Sequence, residues 1–172
     1  EEKVYYRTNT IPPLSIYLLI REETSGVKPY CDYVALQKDY RELPDEIFDH
    51  PFIRRLYTLA SLMIGIHNDI ISLPKELNRE GDTMNLVKVL QQEKDISLKE
   101  AYMGALDVHD AYLNEFLLLQ NNLSFFGEYQ DLVSNYVHDL GVMIAGVYAW
   151  HTNDKSRYIN NGYVEGEYVS KG

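Results

Sequence analysis

The sequence predicts an all-α fold, a bundle of long helices, and three observations support that prediction. Apolar residues recur at steps of three and four along most of the 172 residues, which is the period of one buried helix face. No apolar–polar alternation typical of a strand extends beyond a few residues. The loops are short and polar, without repeats or low-complexity tracts. The length and the even composition suit a single unit spanning residues 1–172.

Two shorter helices are predicted near the start of the chain, from Leu14 to Arg21 and from Tyr30 to Leu36. The segment between them, residues 24–29, reads TSGVKP. Glycine and proline in such a segment disfavour a continuous helix. We therefore expect the chain to break and turn at this point.

The first long helix is predicted to begin near Phe52 and to continue to about Arg79. Its apolar side chains recur at helical spacing over the whole of that stretch. Residues 80–82 (EGD) contain a glycine that ends the pattern. This is the longest helix that the pattern predicts.

Two more long helices are predicted in the second half of the chain. One opens at Ser97, whose spacing to Glu100 is that of a capping box, and runs to about Leu123. The other begins after Gly127 and ends near residues 151–153. Each carries apolar residues along one side, so each is expected to pack against the first long helix.

The composition excludes several classes of function. Sixteen Lys and Arg against 26 Asp and Glu give a net charge of −10, which repels nucleic acids and anionic membranes. The single Cys31 excludes a disulfide within the chain. No uninterrupted apolar run reaches the roughly 18 residues of a membrane span, and no signal peptide opens the chain. A cytoplasmic protein with neither nucleic-acid nor membrane partners is expected.

The strongest chemical signal lies near the end of the first long helix. Asn68, Ser72 and Glu76 follow one another at four-residue steps, and each such step rotates the side chain by about 40° on a helix. Their amide, hydroxyl and carboxylate oxygens therefore share one narrow stripe, and hard oxygen donors of this kind suit Mg²⁺ or Mn²⁺. The alternatives are a polar helix face and a hydrogen-bond network without metal.

The stripe resembles a known motif. The pattern N-D-x-x-S-x-x-x-E from Asn68 to Glu76 resembles the second metal-binding motif of class I terpene synthases, the bacterial type in particular. Residues 81–87 (GDTMNLV) also resemble a sequence pattern of the same family. Arg157–Tyr158, 89 residues after Asn68, resembles its terminal Arg-Tyr pair, and residues 21–26 (REETSG), 47 residues before Asn68, resemble its helix-break segment. The resemblance covers essentially the whole chain.

The resemblance implies how a metal would be held. Asn68, Ser72 and Glu76 would ligate one Mg²⁺, and Asp69 would support these ligands. Up to three Mg²⁺ ions would be present in the full enzyme. The family's aspartate-rich motif holds the others on an earlier helix, and this sequence has no Asp-Asp pair. Asp107 and Asp110 lie on a later helix and are expected to face solvent.

The resemblance also implies diphosphate-binding and catalytic residues. Arg21 would sense the substrate diphosphate, and Lys75 and the Arg157–Tyr158 pair would contact it. A planar guanidinium suits this task better than an ammonium group does. The effector carbonyl at the helix break would belong to Ser25 or Gly26. The alternative for each arginine is an ordinary surface position.

Aromatic side chains would line the pocket of such an enzyme, since they stabilise cations without offering a nucleophile. The candidate wall residues are Phe125, Phe126, Tyr148 and Trp150. Residues 160–172 are polar, contain glycine and are expected to form a flexible tail. Because the family's catalytic domain is longer, the chain is expected to be its C-terminal half, without the aspartate-rich part.

The function expected from the resemblance is that of a carbon–oxygen lyase. The expected enzyme is a Mg²⁺-dependent terpene cyclase, which would ionise a prenyl diphosphate and cyclise the cation to a sesquiterpene. Farnesyl diphosphate is the expected substrate. The chain alone is expected to be inactive, and it could form a homodimer. The alternative is a non-catalytic helical domain that retains part of a Mg²⁺–diphosphate site. A chain-elongating prenyl transferase would need two aspartate-rich motifs, so the stripe argues against it.

Overall fold

The computed structural model describes residues 2–37, 40–79 and 81–153, and every regular element in these residues is helical. The prediction of an all-α fold is therefore confirmed. Two 3₁₀ turns cover Tyr40–Glu42 and Gly127–Tyr129. The α-helices are α1 (Glu2–Thr8), α2 (Leu14–Thr24), α3 (Lys28–Gln37), α4 (Asp45–Phe48), α5 (Pro51–Glu76), α6 (Leu86–Lys94), α7 (Leu98–Asn121) and α8 (Gln130–Asn153).

The five helices predicted from periodicity are all present. The capping box at the start of α7 forms as predicted: Ser97 Oγ accepts from the Glu100 N–H at 3.3 Å, and Glu100 Oε2 accepts from the Ser97 N–H at 2.9 Å. Helices α2 and α3 are both longer than predicted. Helix α3 can include Pro29, because proline is tolerated in the first turn of a helix. The break between them narrows to residues 25–27.

Helix α6 was not predicted, because its nine residues lie in a stretch that reads as a connection between two long helices. Four of its residues are buried: Leu86, Val87, Val89 and Leu90. Asn85 caps its start by accepting a hydrogen bond from the Val87 N–H through Oδ1, at 2.9 Å. Asparagine is among the preferred N-cap residues, so Asn85 was a feature of the sequence that could have predicted the start of α6.

Helix α5 is the central element, and it packs against α2, α6, α7 and α8. Its first half, from Ile53 to Ile64, belongs to a hydrophobic cluster shared with α3, α4, α8 and Phe116 of α7. Its second half contributes Ile66 and Leu73 to another cluster, shared with α2, α6 and α7. The polar stripe of α5 therefore lies at the end that the second cluster holds.

Helix α5 is also long and apolar enough to cross a membrane by length and composition. However, 78% of its most apolar window is buried inside the fold, which is the situation of a central core helix. Among the described residues, no other helix meets the same criteria. We interpret the apolar character of α5 as core packing.

Candidate metal and diphosphate site

Arg21 and Asn68, the first residue of the polar stripe, are 47 residues apart in the sequence and lie in direct contact. The Arg21 Nη2 atom donates to the Gly65 carbonyl at 2.8 Å, to Asn68 Oδ1 at 3.1 Å and to Asp69 Oδ1 at 2.5 Å. A Cβ atom added at Gly65 would lie 2.9 Å from Arg21 Nε. The missing side chain of Gly65 thus makes room for the guanidinium, and Arg21 is not an ordinary surface arginine.

Asp69 joins three helices at this site. It is 1% exposed, and its Oδ1 atom pairs with Arg21 of α2. Its Oδ2 atom accepts from the Tyr17 hydroxyl and, at 2.8 Å, from the Leu86 N–H at the start of α6. Burial raises the pKa of Asp69 to about 6, against the opposing effects of Arg21 and the two hydrogen bonds. Tyr17 was not singled out from the sequence, because nothing local marks it as a partner of Asp69.

The three predicted metal ligands occupy successive turns at the end of α5. Asn68 Oδ1 accepts from Arg21, and Glu76 Oε2 accepts from Asn85 Nδ2 at 2.8 Å. Ser72 is 3% exposed, and its hydroxyl finds no hydrogen-bond partner in the described part of the chain. A buried polar group left unpaired costs about 1–3 kcal/mol. A stripe of oxygen donors with an orphaned hydroxyl at its centre fits a hard divalent cation.

A polar cavity of about 160 Å³ opens beside this stripe. Asn68, Glu76, Arg21 and Asp69 line it from α2 and α5. Further lining residues come from α1 and from the loop before α6: Glu2, Tyr6, Gly81, Asp82, Thr83 and Met84. With four carboxylates and one guanidinium, the cavity carries an acidic balance that attracts cations.

Carboxylate and imidazole groups do not complete a metal site here. Among the described residues, no group of three or more His, Cys, Asp or Glu side chains is arranged to hold an ion. Any ion at the stripe would depend on the Asn68 and Ser72 oxygens beside Glu76. The remaining positions of an octahedral shell would go to water and to phosphate oxygens.

Not every residue predicted to bind diphosphate is brought to the cavity. Lys75 lies next to Glu76 and is half-buried, but its side chain is not among those that line the cavity. Arg157, Tyr158 and the predicted tail, residues 160–172, lie outside the described residues. Of the residues predicted to bind diphosphate, Arg21 is the one that lines the cavity in the described part of the chain.

The structure defines the residues of the helix break between α2 and α3. The Ser25 N–H donates to the Arg21 carbonyl at 3.0 Å, so Ser25 continues the turn of α2. Gly26 then adopts φ +72°, a left-handed conformation that favours glycine. A largely apolar cavity of about 470 Å³ lies against this break. Its lining includes Ser25, Ile64 of α5 and Trp150 of α8.

The four candidate wall residues separate into different environments. Trp150 lines the apolar cavity, whereas Tyr148 lines a groove between α5, α7 and α8. Phe126 is buried against Phe52 in the first hydrophobic cluster, with ring centroids 6.0 Å apart. Phe125 is 88% exposed. The structure brings neither Phe125 nor Phe126 into the polar or the apolar cavity, because the short turn before α8 directs one side chain to the core and the other to solvent.

A histidine cluster on the other side of α5 was missed entirely. His67 Nδ1 lies 2.8 Å from His151 Nδ1, and the His67 ring stacks on Tyr148 with centroids 4.2 Å apart. His109 Nε2 lies 2.7 Å from the Tyr148 hydroxyl. Burial, together with the neighbouring His151 and His109, lowers the pKa of His67 to about 4. The three histidines come from α5, α7 and α8, so no spacing within one helix could signal the cluster.

Comparisons with known proteins identify related sequences. Residues 1–115 match the family model described as terpene synthase family 2, C-terminal metal binding. Sesquiterpene synthase 1 of Postia placenta is 34% identical over 156 residues, which cover 90% of this chain and 45% of that protein. The 10-epi-cubebol synthase of Sorangium cellulosum is 31% identical over 141 residues, covering 81% of this chain and 44% of that protein.

Solved structures show the same architecture. A crystal structure of 2-methylisoborneol synthase from Streptomyces coelicolor, in complex with Mg²⁺ and geranyl-S-thiolodiphosphate, superposes with a TM-score of 0.78. The superposition covers 91% of this chain and 49% of that one, and the 24% identity supports the fold alone. An a-eudesmol synthase structure has a TM-score of 0.70 and 29% identity over 83% of this chain and 46% of its own.

The chain therefore spans about half the length of the relatives that it matches. The family match spans most of the described residues, and its range includes the polar stripe, Arg21 and the start of α6. Together with the all-α fold shared with the 2-methylisoborneol synthase structure, this establishes the relationship. The chain belongs to the terpene synthases of the bacterial class I type and carries the C-terminal metal-binding part of that family.

Proposed function

We propose that the protein containing this chain is a Mg²⁺-dependent terpene cyclase that ionises a prenyl diphosphate and cyclises the resulting allylic cation. One observation carries the proposal: the Arg21 guanidinium lies 3.1 Å from Asn68 Oδ1, at one end of a stripe that continues through the orphaned Ser72 hydroxyl to Glu76. Anion-binding and cation-binding groups thus meet at one cavity. A metal–diphosphate ligand needs that combination.

The residues of the stripe would divide the work as follows. Asn68, Ser72 and Glu76 would hold one Mg²⁺, which supplies positive charge to the departing diphosphate when it is bound. Arg21 would donate hydrogen bonds to the same diphosphate. Because Asp69 already fixes the guanidinium in a buried position, its donors are oriented before the anion arrives, which is the basis of electrostatic catalysis.

The apolar cavity beside the helix break would receive the hydrocarbon chain. Its walls are mainly apolar, with Ile64 and Val147 among them, so they exclude water that would otherwise quench a carbocation. Trp150 adds an aromatic face that can stabilise positive charge. Ser25 lies at the rim of the same cavity, at the helix break where an effector carbonyl is expected.

Farnesyl diphosphate is the proposed substrate, and a sesquiterpene the proposed product. Support comes from the relatives, two of which are named sesquiterpene synthases. The chain spans only about half of those relatives. The other metal ligands and the rest of the pocket would therefore come from sequence outside this chain.

The test is turnover by the full-length protein. Geranyl, farnesyl and geranylgeranyl diphosphates are supplied with Mg²⁺, and products are identified by gas chromatography with mass spectrometry. We expect a cyclic hydrocarbon from farnesyl diphosphate, with Glu76→Gln reducing turnover by orders of magnitude at unchanged helical circular dichroism. Glu115→Gln is the matched control. This substitution removes the same charge, but from a surface ion pair with Arg55.

The outcomes separate the two candidate functions. Turnover in the Glu76→Gln variant at the wild-type rate would refute the metal assignment. Binding of Mg²⁺ and diphosphate by the wild-type protein without any turnover would favour the non-catalytic binding domain. The absence of an Asp-Asp pair from this sequence is the observation that keeps this second function under test.

A further inference from the structure

Asn85 lies behind the metal stripe and uses all of its polar atoms there. It is 0% exposed. Its Nδ2 group donates to Glu76 Oε2 and to the Asp69 carbonyl, both at 2.8 Å. Its Oδ1 atom accepts from the Val87 N–H at 2.9 Å and so caps α6. A single side chain therefore links the end of α5 to the start of α6.

The bond to Glu76 restricts a flexible ligand. A glutamate side chain has three rotatable bonds, and its freedom must be lost before the carboxylate can occupy one place in a coordination shell. Asn85 holds one carboxylate oxygen, Oε2, while the carboxylate still lines the polar cavity. The second oxygen is left to face a cation.

The backbone of Glu76 is held from the same helix. Lys88, one turn into α6, donates from Nζ to the Glu76 carbonyl at 2.6 Å and to the Asp82 carbonyl at 2.5 Å. The Leu86 N–H donates to Asp69 Oδ2 at 2.8 Å. The first turn of α6 thus contacts the side chain of Glu76, its backbone and the neighbouring Asp69.

We propose that Asn85 is a positioning residue for the metal site, which presents the Glu76 carboxylate to the cation through its Nδ2 donor. The proposal rests on the proposed function, because it assumes that Glu76 is a metal ligand. Hydrogen-bond partners of metal ligands typically contribute a factor of about 10–100 to metal affinity. Asn85 thus has two roles, capping α6 and positioning the Glu76 carboxylate. A substitution can remove the second role and keep the first.

The experiment separates them with Asn85→Ser in the full-length protein. A serine hydroxyl can still cap α6, but it is too short to replace the amide donor to Glu76. Mn²⁺ binding is measured by electron paramagnetic resonance in the presence of inorganic diphosphate. We expect affinity to fall by about 10–100-fold, and the Mg²⁺ concentration for half-maximal turnover to rise in parallel. If Asn85→Ser does not fold, Asn85→Thr applies the same test with less lost volume.

Ser97→Ala is the matched control, because it removes the cap of α7, whose Ser97–Glu100 box is exposed and not part of the cavity. It should lower the melting temperature and leave Mn²⁺ affinity unchanged. Wild-type Mn²⁺ affinity in folded Asn85→Ser would overturn the proposal. If Glu76→Gln also binds Mn²⁺ like the wild type, the metal assignment fails as well; if only Glu76→Gln loses binding, the positioning role alone is refuted.

Discussion

The Arg21 guanidinium occupies the space that a side chain at position 65 would fill. Its Nη2 atom is 2.8 Å from the Gly65 carbonyl, and a Cβ atom on that residue would stand 2.9 Å from Nε and 3.0 Å from Cγ. The arginine therefore passes directly over the backbone of α5. This contact allows the guanidinium to be buried beside the polar stripe of Asn68, Ser72 and Glu76.

The Gly65→Ala variant should separate stability from activity. Alanine is favoured over glycine inside a helix by about 1 kcal/mol, so the helix itself gains while the guanidinium is displaced. We expect turnover to fall at least tenfold, with little loss in the urea concentration at half-unfolding. Gly104→Ala on α7 is the control, since its Cβ would meet only Leu90 Cδ1 at 3.4 Å. Equal activity in the two variants would contradict the role given to Arg21.

The Ser72→Ala variant should weaken metal binding without weakening the fold. The Ser72 hydroxyl is buried and makes no hydrogen bond within the described residues, so its removal should leave the free energy of unfolding unchanged or raise it by up to about 1 kcal/mol. Mn²⁺ affinity, measured with inorganic diphosphate, should fall. Ser61 is another buried serine of α5 with an orphaned hydroxyl, and Ser61→Ala should change stability alike while metal affinity stays at the wild-type value. A shared loss of affinity would point to a general effect on α5.

The Tyr17→Phe variant tests the junction at Asp69. It removes the hydroxyl that donates to Asp69 Oδ2, and a hydrogen bond to a charged group is worth about 1.5–3 kcal/mol. We expect a loss of this size in the free energy of unfolding, measured with urea at pH 8, where Asp69, with its pKa raised to about 6, is ionised. Tyr102→Phe serves as the comparison, because it deletes the hydroxyl of a half-buried tyrosine on another helix, α7. A loss no larger than that of Tyr102→Phe would show that the bond contributes little.

Cys31 should report unfolding through its reactivity. It is fully buried, and burial raises the pKa of its thiol from 9.0 to about 12, with Asp32 adding to the rise. Iodoacetamide at pH 8.5 should therefore label the native protein far more slowly than the urea-unfolded chain. Labelling at equal rates would contradict the burial.

The same shift gives a pH dependence with a definite sign. Between pH 9 and 12 the unfolded chain releases the thiol proton and the folded protein keeps it, so stability falls as pH rises through this range. The stability advantage of the wild type over Cys31→Ala, measured by urea unfolding, should therefore narrow above pH 9. A constant difference would refute the shifted pKa.

The 172-residue chain alone should form no cyclic hydrocarbon from farnesyl diphosphate. Under the proposed function it would supply three ligands of one metal ion, and it spans about half the length of the relatives that it matches. Gas chromatography of reactions with the isolated chain should detect no terpene, whereas the full-length protein run in parallel should produce one. A terpene from the isolated chain would show that these residues suffice for catalysis.

The helices that the sequence predicts well are those whose pattern is long. Helices α5, α7 and α8 each repeat their apolar spacing over several turns, so the period is unmistakable. Helix α6 has only nine residues, which is too short for the period to stand out from a loop. Its cap, Asn85, was visible in the sequence, but a lone asparagine occurs in turns as readily as at helix starts.

The candidate site was predictable to the extent that it is local. Asn68, Ser72 and Glu76 share a helix, so their common face follows from spacing. Tyr17 and Asn85 join the site through contacts across 52 and nine residues, and such contacts depend on how helices pack. Phe125 and Phe126 are adjacent and chemically alike, and only the path of the turn decides that one is exposed and the other buried.

The division of α5 between two hydrophobic clusters has a mechanical consequence. Helices α3, α4 and α8 pack only at one end of α5 and helices α2 and α6 only at the other, whereas α7 belongs to both clusters through Phe116 and through Ala101 and Ala105. Because the other helices are found in one cluster only, local opening at one end of α5 can leave the packing of α2 and α6 at the other end in place. Backbone amides of α6 and of the last turns of α5 should then exchange with deuterium together. Their exchange rate should follow the local opening of the end of α5 that carries Glu76.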